Sequence, residues 1–311
     1  MKKIVNPLLK SGGDPWLIGS GEKWYFICTR GNRLELICAN EISELARGEV
    51  RVVWTPPSAG PGSVELWAPE LHRLDGRWII YYAASDGSHD AGRRMHAVIC
   101  DGDDPMKDDW SYLGMLNTAR PGLDGTVLVR GEEKYFLYAG YGDFPEHGSA
   151  VYIVRMKDLV TLTGAELCLT WPEFDWERNG GMPINEGPAI LRGGDRLFVA
   201  YSASTTWSED YCLGLLTAAA DADWMRPESW VKSPKPVFVK SVENCTMAPG
   251  HNCFCRIGDS DFIVYHAIDG EGGQGDLDTS KRSPRMHRVL WREDGTPNFG
   301  VPLGSGMEVW I

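Results

Sequence analysis

A chain of 311 residues with 43 acidic against 31 basic side chains carries a net charge of −12. That balance argues against nucleic acid and anionic membrane surfaces as partners, because both need basic surface, and it leaves a neutral small molecule or sugar. Thirteen Trp, eleven Tyr and 36 Gly favour many short strands with tight turns and an aromatic-lined cleft.

The opening Met1-Lys2-Lys3-Ile4-Val5-Asn6-Pro7 has two lysines but no apolar run, and polar Ser11-Gly12-Gly13-Asp14 follows at once. No window approaches eighteen apolar residues. Eight cysteines lie mostly inside apolar runs without a CxxC pair, so the expectation is a cytoplasmic protein with reduced, buried thiols. Cys253 and Cys255, two apart on a strand, share one face and read as packing rather than as metal ligands.

Five aromatic or β-branched strands follow in order, beginning at Trp24, Trp78, Tyr135, Leu197 and Phe262, with spacings of 54, 57, 62 and 65 residues. Each is preceded by a short polar loop (GSGEK, LDGR, RGEEK, RGGDR, IGDSD) and, before that, by another apolar run. That is a hairpin signal repeated five times. Helical periodicity is confined to a turn or two over Glu41 to Arg47. Five β-units of near-constant period predict an all-β fold, a five-bladed β-propeller occupying 1–311 as a single domain, because a β-sandwich gives no reason for the period. The tail from Thr296 to Ile311 is expected to close the ring or pack beneath it.

Counting back from each aromatic strand gives one position per unit. Asp14 lies ten residues before Trp24; Trp67, Asp124, Glu186 and His251 each lie eleven before Trp78, Tyr135, Leu197 and Phe262. At the entrance to the innermost strand such residues converge on the ring axis, which predicts three carboxylates, a Trp and a His facing one another. Any one of these acids alone would read as a turn cap. Together they suit glycosidic bond cleavage, where one carboxyl donates a proton and another activates water, and crowding in a desolvated site separates their proton affinities. The Trp offers an apolar face for a sugar ring.

These residues resemble glycoside hydrolase family 43. Asp14 in GGDPW, Asp124 in LDGTV and Glu186 in NEGP are similar to the family's three acids; WAPE at Trp67, PGHN at His251, SPRM at Arg285 and the closing DGTPNFG strengthen the likeness. The resemblance implies an inverting mechanism with Asp14 as general base, Glu186 as general acid, Asp124 as the group that orients and tunes the acid, and a base–acid separation of about 6.5–9.5 Å. It further implies that Trp67 lines the sugar pocket, that Arg285 hydrogen-bonds the sugar, and that His251 sits on the axis where a Ca²⁺ ion or a water is held, no cofactor being required for the chemistry. Within the family the chain looks most like the single-domain exo-acting α-L-arabinofuranosidases. A β-xylosidase, an endo-arabinanase, a retaining fructan-active propeller and a non-catalytic sugar-binding propeller are the alternatives.

Other residues are set lower. Glu70 is expected to pack or hydrogen-bond near the pocket, Asp175, Trp176 and Glu177 to form a solvated loop, and His266 to be a satisfied core histidine. The acidic, Gly-rich 269–278 segment lacks EF-hand spacing and reads as a mobile surface loop or a pocket rim.

Overall fold

The computed structural model describes residues 2–142, 148–273 and 275–311. The repeated hairpins fold as five antiparallel sheets arranged as a β-propeller. Blades I to IV have four strands each, and their first strands are Trp16–Ser20, Val64–Leu74, Gly122–Arg130 and Asn185–Gly193. Blade V has three strands, Thr246–Ile257, Ser260–Asp269 and Ser283–Arg288. Among the described residues the only helices are short 3₁₀ turns, one of them at Ile42–Arg47 where the sequence suggested it.

The propeller buries both faces of each blade, so its second strands read as apolar runs rather than as alternation. In Arg77–Ser85 every residue from Trp78 to Ala84 is at most 1% exposed. Five apolar layers result, one at each contact between neighbouring blades. The eight cysteines are free, and Cys253 and Cys255 pack in the layer between blades V and I.

Every first hairpin uses the same two-residue turn: Gly21-Glu22, Asp75-Gly76, Gly131-Glu132, Gly194-Asp195 and Gly258-Asp259. The opposite end of each inner strand is irregular. There two residues of the first strand face one of the second, a β-bulge that bends the strand and re-aims its side chains. The bulge opens on Ala68, Asp124, Gly187 and His251 in blades II to V, and on Asp14 in blade I, where the Thr29 N–H donates to the Gly13 carbonyl.

The ring is shut by the N-terminal segment. Asn6 exchanges two side-chain bonds with Met286, and the Leu8 and Gly12 N–H groups donate to Pro284 and Arg282. Residues 6–12 thus run along the third strand of blade V. The tail packs beside them, with Lys3–Val5 pairing antiparallel to Glu308–Trp310.

Candidate active site

The five bulges meet at one end of the channel. Asp14, Ala68, Asp124, Gly187 and His251 all have positive φ, between 43° and 57°. For residues with a Cβ that conformation costs about 1–2 kcal/mol each, strain of the kind that collects at functional sites. It also corrects the expectation of five equivalent positions. Asp14, Asp124 and His251 are equivalent, but Trp67 and Glu186 stand one residue before their bulges. The slip arose because the reference residues Trp78 and Leu197 sit one place earlier in their strands than Tyr135 and Phe262 do.

A cavity of about 490 Å³ opens over this end, lined by Asp14, Asp124, Glu186, His251 and Trp67 together with Thr29, Met182, Trp207 and Arg282. Asp14 is 8% exposed. The Arg282 guanidinium donates to its Oδ1 at 2.9 Å, and the Thr29 hydroxyl to its Oδ2 at 2.6 Å. Thr29 cannot turn that proton elsewhere without loss, because its oxygen already accepts the Ala68 N–H at 2.8 Å. The Asp14 N–H donates to His266 Nδ1 at 3.1 Å. Burial alone would push this carboxyl up, but Arg282, then His251 and His266, hold it well below the usual carboxylate range.

Asp124 and Glu186 titrate the other way. Burial, then the neighbouring Glu186 and Asp14 carboxylates, push Asp124 well above its ordinary value, against the Gly187 N–H that donates to its Oδ2 at 3.0 Å. Burial pushes Glu186 up to about 7, with Asp14 adding to the rise, while the Tyr211 hydroxyl that donates to Oε1 at 2.7 Å works against it. These two acids titrate as a pair and keep a proton near neutrality. Gly187 suits its place twice over: φ is +54°, and a Cβ would press on the His251 ring and the Ser202 hydroxyl at 3.3 Å. Tyr211 reaches Glu186 because position 250 is glycine; a Cβ there would lie 2.3 Å from the phenol ring.

Trp67 lies on the pocket wall. Behind it the Arg93 guanidinium, 1% exposed, sits 3.5 Å from the ring centroid and pairs with Glu65 and Asp90. His251 Nδ1 is 3.5 Å from Asp14 Oδ1 and 3.7 Å from Asp124 Oδ2, and burial holds the ring below its ordinary pKa. One ligand atom each from Asp124, Glu186 and His251 fall within 4.8 Å of one another. Ca²⁺ takes six to eight oxygens, and an imidazole with two carboxyl groups supplies only part of such a set.

Arg285 is not where the resemblance put it. It is fully buried and bonded to Asp269, Thr246 and the Leu303 carbonyl, away from the cavity. The arginine on the pocket is Arg282. The first and third strands of blade V both start at the pocket end, so the residue just before Ser283–Arg288 reaches the rim, and one inside that strand does not. Glu177 was expected in a solvated loop, yet it is 0% exposed. It accepts from Lys232, Asn185, Tyr201 and the Glu173 and Phe174 N–H groups, and so anchors the strand at the residue before Glu186. Glu70 is buried against His72 at 2.9 Å, off the pocket. His266 is buried as expected but belongs to the site, stacked on Tyr211 at 5.7 Å and 5°. Gln274 lies outside the described residues; Asp276 and Leu277 bind the Trp207 loop as a rim, with a bridge to Ser208 and a 2.7 Å bond to the Trp207 carbonyl.

An ionised carboxylate facing a proton-holding pair across a half-enclosed cavity is equipped for general acid–base hydrolysis. Comparison with known proteins agrees in kind. Residues 4–297 match the family described as Glycosyl hydrolases family 43. The chain is 36% identical over 97% of its length to "Alpha-L-arabinofuranosidase 43" of Humicola insolens. It is 33% identical over 98% to an "Extracellular exo-alpha-(1->5)-L-arabinofuranosidase" of Streptomyces avermitilis. The chain spans 64% of the length of each. A crystal structure of an alpha-L-arabinofuranosidase from Lactobacillus brevis superposes with a TM-score of 0.91 at 36% identity, covering 98% of both chains. The extracellular relative overturns the cytoplasmic expectation. The thiols are not all buried as expected either, since Cys168 and Cys245 are exposed, and those packed in blade layers carry no address.

Proposed function

The chain belongs to glycosyl hydrolase family 43, and from that premise we propose that it releases terminal α-L-arabinofuranosyl groups from arabinan- or arabinoxylan-type oligosaccharides with inversion. Asp14 is the general base that takes a proton from the attacking water. Glu186 is the general acid that protonates the leaving oxygen, and Asp124 holds and tunes it. Trp67 packs against the terminal sugar, and His251 lines the floor between the acids. No step in this scheme draws on a metal.

The observation that carries the reading is the opposite titration of Asp14 and Glu186 across one cavity, the former held low and the latter raised to about 7. A base must be ionised and an acid protonated at the same pH, and the surroundings of the two supply that difference. The sugar is supported by the relatives named above. Exo action is supported by the Trp207 loop, tied down by residues 276 and 277 as a wall on one side of the pocket.

The test is Glu186→Ala. Hydrolysis of an arabinofuranoside with a poor alkyl leaving group should fall about 10³-fold, and that of a dinitrophenyl arabinofuranoside far less, because an activated leaving group needs little proton donation. Proton NMR of the first product should show the inverted anomer. Unchanged turnover of the poor substrate, retention of configuration, or a preference for the matching xyloside would each overturn a named part of the reading.

A further inference from the structure

The hairpin formed by Leu290–Trp291 and Pro297–Asn298 belongs to no blade. Its turn is locked: the Asp294 carboxylate accepts both the N–H and the hydroxyl of Thr296, and the Arg292 N–H donates to the Thr296 carbonyl. The arm carries Trp291 across to blade IV, at the hairpin-turn end of the ring. Seven residues of one inner strand separate Glu186 from Gly193, which puts this end roughly 23 Å from the catalytic acid at about 3.3 Å per residue.

Trp291 is held as a platform there. Its indole N–H donates to Asp261 Oδ2 at 3.0 Å, and its ring lies 5.9 Å from that of Phe198. The indole rests on Gly193, where a Cβ would come within 2.2 Å of it; any other residue at 193 would displace the ring. The outer part stays open, 38% exposed, over a second cavity of about 450 Å³, close in size to the catalytic one. The cavity wall carries both signs, among them the guanidiniums of Arg196 and Arg256 and the carboxylates of Asp195, Glu293 and Asp294. Mixed signs suit neither a polyanion nor a polycation. They do suit a neutral chain of vicinal hydroxyls, each both donor and acceptor, whose C–H faces pack on an indole.

We propose that this cavity is a second, non-catalytic carbohydrate site that holds the polymeric substrate while the opposite end of the ring, or of a neighbouring molecule on the same chain, cleaves it. The choice of an arabinose-containing ligand rests on the proposed function. The site does no chemistry; it raises the local concentration of chain ends.

Calorimetric titration of the Glu186→Ala protein with a linear α-1,5-linked arabino-oligosaccharide of six units should reveal two sites. Adding Trp291→Ala should abolish the second, and adding Arg256→Ala, which leaves the indole in place, should weaken it about tenfold, the weight of one good contact. In the otherwise wild-type enzyme, Trp291→Ala should leave hydrolysis of nitrophenyl arabinofuranoside unchanged and slow release of arabinose from polymeric arabinan. A single site in the Glu186→Ala protein, or two sites that survive both substitutions, would overturn the proposal. If the wild type cleaved no arabinofuranoside, the functional reading would fail, and the same titration with a xylo-oligosaccharide would then decide whether this cavity binds carbohydrate at all.

Discussion

Asp14 and Asp124 occupy the same place in blades I and III. Both open a bulge, both have φ of 57°, and both are under a tenth exposed. Yet one carboxyl is held far down and the other pushed far up. The difference comes from what each blade borrows from its neighbour. Blade V lends Asp14 the guanidinium of Arg282 and the imidazole of His266, whereas blade IV lends Asp124 one backbone N–H and a second carboxyl. Desolvation is common to both, so it cannot account for the divergence; the charge of the nearest partner does. The repeat fixes geometry five times over, and the blade interfaces assign the chemistry.

The sharpest challenge to that contrast is to neutralise each acid in turn. Asn cannot ionise, so Asp14→Asn removes the base, and kcat should fall about 10³-fold. Asp124 is pushed well above its ordinary pKa, and Asn keeps its shape and an acceptor for the Gly187 N–H, so Asp124→Asn should cost roughly tenfold, the weight of one weakened hydrogen bond. Steady-state kinetics on an arabinofuranoside settles the order, and the reverse order would break the comparison.

A subtler test moves the partner instead of the acid. Arg282 favours the ionised form of Asp14. Arg282→Met should raise the Asp14 pKa, so the acid limb of the kcat/KM profile should shift to higher pH; the basic limb, set by Glu186 near 7, should move the same way but less, because Arg282 is only the smallest influence on that carboxyl. An unmoved acid limb would show that Arg282 does not set the base. The smallest effect is expected for Tyr211→Phe. Its hydroxyl favours the Glu186 anion, and without it Glu186 should keep its proton longer. The basic limb should then extend to higher pH with little loss of rate on the acidic side; a limb that retreated to lower pH would contradict the assignment.

Much of this was legible in the chain because the fold repeats. Two-residue turns with glycine and runs such as Trp78 to Ala84, apolar on both faces, mark each hairpin without any tertiary knowledge. The ring of acids followed from one count per hairpin, though the count started one place early in blades II and IV and so misplaced Trp67 and Glu186 by one residue. What stayed hidden depends on partners remote in sequence. Arg282 acts on a residue 268 positions away, and nothing around it differs from a solvated Lys-Arg pair. Glu177 looks like loop until Lys232, Tyr201 and Asn185 are folded around it. Arg285 sat in the more persuasive local motif, and only strand direction shows why the rim belongs to Arg282.

The closure of the ring has a consequence for the base. Asp14 precedes all five blades in chain order and lies only two residues past a segment that hydrogen-bonds to blade V. Arg282, the cation that keeps it ionised, and His266, which accepts its backbone N–H, come from blade V, the last in chain order. Without blade V the carboxylate of Asp14 would lack the Arg282 guanidinium that donates to it. The topology therefore ties the surroundings of the base to closure of the ring: Asp14 has its counter-charge only where the last blade meets the segment before it.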